Sequence, residues 1–94
     1  MNEQPERLLV DDTEIARLTQ LVKELDDEEQ VRLTLDDGTV VEGVVAVRPA
    51  VQLFRDDAGS GMNALLRLDP LEGDMPPRYL WLDRVVEVFR LGSD

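Results

Sequence analysis

The side chains in this sequence able to do chemistry are carboxylates, arginines and four aromatics. Histidine and cysteine are both absent. That removes imidazole bases, Ser-His-Asp and Cys-His couples, thiolate metal sites, disulfides and redox chemistry. Two carboxylate pairs could hold a divalent cation. Asp36-Asp37 precedes Gly38, and an Asp-Gly step is the chemistry of a tight hairpin turn. Asp56-Asp57 opens a run ending at Gly61, but a calcium loop needs oxygen ligands at alternate positions and a Glu six residues after its glycine. Arg67 stands there instead, so no metal site is expected. Gly59-Ser60-Gly61 lacks the third glycine of a dinucleotide loop, the Lys of a P-loop and the flanking spacing of a nucleophile elbow, and reads as a loop tip. A catalyst without His or Cys would need a carboxylate, Lys or Tyr in an apolar pocket, for which a 94-residue chain has little room. The expectation is a protein that is not an enzyme and takes no cofactor.

Binding chemistry is better represented. Nine of the ten basic residues are Arg, with Arg48, Arg55, Arg67, Arg78, Arg84 and Arg90 spread over the second half of the chain. Arginine grips phosphate and stacks on bases. Tyr79 and Trp81 alternate with Leu80 and Leu82, so one pair points inward and the other outward. An exposed Tyr/Trp pair suits base stacking or an oligomer contact, whereas a buried one is ordinary core packing. Against nucleic acid stands a net charge of −11, from 21 acids and 10 bases, which repels a polyanion. The excess is uneven. Residues 1–30 hold ten acids against Arg7, Arg17 and Lys23, a net of −7, while residues 31–55 are neutral and residues 56–94 carry −4.

These residues need elements to position them. Asp11 followed by Glu14 is a capping-box pattern, with Val10 and Ile15 at the positions of a hydrophobic staple. The spacing predicts an arm over 1–10 and a helix over 11–25, with Ile15, Leu18, Val22 and Leu25 in one apolar stripe and Leu21 at its edge. Asp26-Asp27-Glu28-Glu29 reads as a solvated turn rather than an acidic docking surface. From Gln30 the period becomes two. Val31, Leu33 and Leu35 lead into the Asp36-Asp37-Gly38 turn, and a second strand runs from Thr39 to about Arg48.

That second strand is apolar on both faces, with Val41, Val45 and Val47 on one and Val40, Val44 and Ala46 on the other. It needs a second cover, either a strong bend or a partner subunit, and Gly43 is where a bend or close approach would form. Further strands are expected over 51–55, 63–68, 78–82 and 85–89, with a flexible loop over 56–61. A helix followed by five or six short antiparallel strands is the pattern of a small barrel. No stretch approaches the ~18 apolar residues of a membrane span, and MNEQPE does not resemble a signal peptide. The expected location is cytoplasmic, with no membrane partner.

Val31-x-Leu33-x-Leu35 followed by Asp37-Gly38-x4-Gly43-x-Val45 resembles the first motif of the Sm-like proteins (Sm, LSm and Hfq), in which two glycines flank a bent second strand. Leu82-Asp83-Arg84-Val85-Val86-x-Val88 is similar to the short strand that closes their barrel. Met62-Asn63 resembles the family's Met-Asn pair, whose Asn contacts the RNA base. It lies about twenty residues after Gly43, which implies an inserted strand or a false match. The Arg-Gly of the second Sm motif is absent, with Trp81-Leu82 or Asp83-Arg84 in its place, and the Lys-His of Hfq has no counterpart. The chain is also similar to a small xanthomonad-type bacterial family with a variant Sm-like fold, which implies that fold and no particular activity.

The combined expectation is one α+β, mainly β domain over 1–94: an N-terminal helix, then a small, strongly bent five-stranded antiparallel Sm/SH3-like barrel over 30–90. Its expected role is a homo-oligomeric interaction module, a dimer rather than a ring, meeting its partner through Val40, Val44, Phe54 and Trp81. The alternative is weak binding of single-stranded RNA or DNA through Asn63, Arg67, Arg78, Tyr79 and Arg84.

Overall fold

A computed structural model of the chain describes residues 7–57 and 59–91; residues 1–6 of the expected arm lie outside them. Asp11 starts the helix. Its Oδ1 accepts the N–H of Thr13 at 2.7 Å, satisfying one of the free donors at a helix start, and its carbonyl accepts that of Ile15 as the first bond of the helix. Helix α1 then runs Asp12–Glu24. The rest of the expected cap is different. Glu14 pairs with Arg7 at 2.8 Å instead of turning back to Asp11. Val10 stays 69% exposed, so no staple closes over Ile15, and Leu9 takes the buried place one residue earlier. Leu18, Leu21 and Leu25 form the buried stripe, with Ile15 and Val22 beside it. Leu21, expected at the edge, is central.

Strand β1 (Gln30–Leu35) and β2 (Val40–Val45) form the expected hairpin. In its turn Asp37 accepts the N–H of Thr39 at 2.9 Å and Gly38 takes φ +88°, a conformation that suits glycine. The remaining strands are β3 (Gln52–Asp56), β4 (Gly59–Asn63), β5 (Leu65–Asp69), β6 (Arg78–Trp81) and β7 (Val85–Arg90). Five of them make one antiparallel sheet in the order β6-β5-β2-β1-β7, and β3 and β4 pair separately. The mainly β architecture is as expected, but the described residues form seven strands, not five. The segment from Gly59, expected to belong to a flexible loop, is half of the additional hairpin, which is inserted between β2 and β5.

The five-stranded sheet must curl. Its edge strands β6 and β7 are joined only by a 3₁₀ turn, Leu82–Arg84. Four chain steps reach at most ~14 Å, whereas the edges of a flat five-stranded sheet lie ~19 Å apart. The sheet therefore rolls around its inner face, where Val31, Leu33, Leu35, Val41, Val45, Leu66, Leu68 and Val85 are buried. Gly43 permits this closure by close approach: a Cβ there would lie 2.7 Å from the Asp69 carbonyl oxygen and 3.0 Å from the Leu68 Cβ. The ladder between β2 and β5 lies just beyond this point, with Val44 opposite Asp69 and Val45 opposite Leu68.

The inserted hairpin is held by the arm. Leu9 and Met62 exchange both backbone hydrogen bonds, at 2.8 and 2.9 Å. Gly61 lies under this crossing, where a Cβ would meet Leu8 and Leu9 at 2.8–2.9 Å. Helix α1 packs on β4 and on the 3₁₀ turn. Arm, helix and insertion thus form one layer over the end of the sheet.

Candidate functional site

Alternation along β5 and β6 decides what faces outward. Leu66 and Leu68 point into the core, so Leu65, Arg67 and Asp69 point out. Leu65 faces Trp81 across the ladder and Arg67 faces Tyr79. Ala46 donates its N–H to the Arg67 carbonyl and Val44 stands opposite Asp69. The outer surface therefore runs from Val44 and Ala46 through Leu65 and Arg67 to Tyr79 and Trp81. Phe54 of β3 closes its far end, edge-on to Trp81 with ring centroids 5.4 Å apart. Phe54, Trp81, Leu65, Ala50 and Gln52 line a groove of about 380 Å³ there. Of the expected oligomer residues, Phe54 and Trp81 are in contact and Val44 shares their face. Val40 is exposed four residues further along β2, opposite Thr34.

The expected nucleic-acid residues are divided. Arg67 and Tyr79 are neighbours on the outer face, but the Arg67 guanidinium is engaged by Asp69 at 2.9 Å. Arg78 begins β6 opposite Leu68, on the other side of the strand. It lines a larger groove of about 520 Å³ with Leu71, Met75, Pro76 and Pro77. Arg84 lies beyond the 3₁₀ turn, bound to Asp36 and Asp37 at 3.3 and 3.1 Å. Those carboxylates hold its guanidinium above its ordinary pKa. The Thr39 backbone and side chain, with Arg84 contributing less, hold the Asp37 carboxyl below its ordinary value.

Asn63 is fully buried. Its Nδ2 donates to the Arg7 carbonyl at 3.0 Å and to Asp83 Oδ1 at 2.8 Å, and its Oδ1 accepts the N–H of Ala64 at 2.8 Å. Both amide hydrogens and the amide oxygen are thus used within the protein. The Asp83 side chain is only 6% exposed, and Arg7 reaches its other oxygen at 3.9 Å while binding Glu14. Glu14 first, and Asp83 more weakly, hold the Arg7 guanidinium above its ordinary pKa. Sequence reasoning missed this Arg7–Asn63–Asp83 pin. Asn63 and Asp83 are twenty residues apart, and only the register of β5 with β6 brings them together.

The other arginines follow the same pattern. Arg32 pairs with Glu42 at 2.7 Å and stacks over Phe89, and Arg48 pairs with Asp26. Arg17 and Arg90 donate to the carbonyls of Val85 and Glu24. Among the described residues, no helix is long and apolar enough to cross a membrane.

No curated protein matches the chain. Among solved structures, it superposes on XC5848 from Xanthomonas campestris with a TM-score of 0.86 and 39% identity, over 97% of this chain and 99% of that one. That crystal structure is described as adopting a novel variant of the Sm-like motif. The fold described above is therefore Sm-like, with the β3-β4 hairpin between β2 and β5. Residues 2–91 match the family described as Domain of unknown function (DUF3247), and the chain belongs to that family.

Proposed function

We propose that this Sm-like protein is a non-enzymatic, cytoplasmic interaction module that works as a homo-oligomer, a dimer rather than a ring. The supporting observation is how the surface is allotted. Arg7, Arg32, Arg48, Arg67 and Arg84 are ion-paired within the chain, and Arg17 and Arg90 are turned to backbone carbonyls. A nucleic-acid groove needs such cations free to replace counterions on phosphates. Meanwhile Val40, Tyr79 and Phe89 remain exposed, and exposed aromatic and apolar side chains are enriched at protein contacts. The lack of His and Cys supports the non-enzymatic part of the reading. Light scattering tests it: at about 100 µM, a concentration at which a modest interface is populated, the mass should be near twice 10.6 kDa. A monomer at every concentration would overturn it.

One observation favours a second reading. Arg67, Tyr79 and Trp81 share an outer surface, which supplies stacking faces and a cation for a single strand. A labelled oligo-U or oligo-A should then bind with an affinity that falls steeply as salt rises. No binding at low salt removes this reading.

A further inference from the structure

Strand β6 lies at the edge of the five-stranded sheet, and its backbone has a defined polarity. Leu82 donates its N–H to the Ala64 carbonyl, toward β5. On the other side of β5, the Arg67 carbonyl accepts from Ala46 of β2. Hydrogen-bonding direction alternates along an antiparallel strand. Leu80 and Arg78, like Leu82, therefore bond to β5, while the N–H and C=O of Tyr79 and Trp81 point to the open edge. Among the described residues these four groups have no partner. The next outward position is Pro77, which carries no N–H, and the strand ends at the 3₁₀ turn on the other side. The free edge is thus two residues long and closed at one end by proline.

An edge of this kind is complementary to itself. We infer that two copies pair β6 to β6, antiparallel, about a two-fold axis at Leu80. In that register Tyr79 and the partner's Trp81 exchange both backbone hydrogen bonds, and symmetry repeats the exchange. All four N–H and all four C=O groups of the two open edges are then satisfied. Moving the axis to Tyr79 would set the Trp81 carbonyl against the partner's Pro77, which has no hydrogen to give. The chosen register also places Tyr79 and the partner's Trp81 side by side on the outer face, a favourable cross-strand aromatic pair. β6 itself carries Arg78 and no acid. An edge two residues long makes a short contact, so the dimer is reversible and depends on concentration.

The inference rests on the reading that the chain self-associates, and cross-linking separates the two. Because the chain contains no cysteine, single-cysteine variants report without background. Leu80 lies on the axis as a non-hydrogen-bonded pair, with a Cα separation of ~4.5 Å, inside the disulfide range of ~4.4–6.8 Å. Under mild oxidation Leu80→Cys should form a covalent dimer, and Val86→Cys, on β7, should not. Tyr79→Pro removes an N–H that serves only the open edge. It should raise the dissociation constant at least about tenfold, the effect expected of lost ladder bonds, while circular dichroism stays that of the parent. If the parent is dimeric but Leu80→Cys stays unlinked, or links only when mixed with Val86→Cys, the pairing is overturned and self-association stands. Unchanged dimerisation in Tyr79→Pro also overturns the pairing. A parent that is monomeric at all concentrations overturns both.

Discussion

Removing the Asn63 amide tests whether this buried side chain is a structural pin. In Asn63→Ala the Asp83 carboxylate loses its donor at 2.8 Å and the Ala64 N–H loses its acceptor at 2.8 Å, and both are shielded from water. The Arg7 carbonyl also loses its bond and the arm loses one of its ties. A buried polar group left unsatisfied costs about 1–3 kcal/mol, so two of them imply about 4 kcal/mol. That is a large part of the ~5–15 kcal/mol that holds a domain of this size together. With ~4–8 °C of melting temperature per kcal/mol for a chain of this length, the midpoint should fall by roughly 15–30 °C. Urea denaturation followed by tryptophan fluorescence reports it directly, because Trp81 lies two residues from Asp83. Asn63→Asp keeps the shape but sets a second carboxylate against Asp83, and should destabilise at least as much. A change below about 1 kcal/mol in Asn63→Ala, within the range of ordinary surface substitutions, would refute the pin and return Asn63 to the candidates for an outward-facing role.

Three further outcomes follow from the packing. Gly43→Ala places a methyl group 2.7 Å from the Asp69 backbone oxygen; it should cost ~1–3 kcal/mol as overpacking does, read by urea midpoint, and a neutral result would mean that β2 and β5 are not in close approach. Gly61→Ala meets Leu8 and Leu9 backbone atoms at 2.9 Å, so amide exchange should rise at Leu9 and Met62, whose mutual bonds break, while β1 and β2 stay protected. Asp37 has its folded pKa lowered, chiefly by Thr39, so its contribution to stability is present above its unfolded value of ~3.9 and lost as pH falls through the folded value. Asp37→Asn should therefore flatten that acid limb in pH-dependent denaturation and leave the neutral-to-basic range parallel to the parent.

Much of the fold was legible because local chemistry dictated it. Asp11 caps a helix whose apolar residues recur at helical spacing, and Asp36-Asp37-Gly38 separates two strands of period two. What could not be read was long-range. Gly59 to Asn63 has the composition of a loop, and becomes a strand only because β3 pairs with one edge and the arm grips the other. The doubly apolar β2 posed a choice between a bend and a partner. Its inner residues Val41 and Val45 meet the core, while Val40 remains exposed and Val44 half-covered, so curling covers one face and leaves the other available. The candidate surface was legible in parts, since alternation alone puts Tyr79 with Trp81. Its completion by Phe54 depends on where the insertion lands.

The Asn63–Asp83 pair bears on how far the Sm-like resemblance extends to chemistry. An RNA base or phosphate is held by outward donors and by cations near them. Here the Asn amide is turned inward, onto the carboxylate of Asp83 in the 3₁₀ turn, and the Arg-Gly of the second Sm motif is absent, with Trp81-Leu82 or Asp83-Arg84 in its place. A donor that would serve a ligand is used instead to fix the arm, and the acid brings a charge that repels phosphate. Arg84, next in sequence, is turned away to the β1–β2 turn. The Sm-like scaffold is retained, while Asn63 and Asp83 are bound to one another. Among the described residues the backbone of Tyr79 and Trp81 keeps open polar groups at a sheet edge, and an interaction along that strand follows more directly from this chain than recognition of RNA at Asn63.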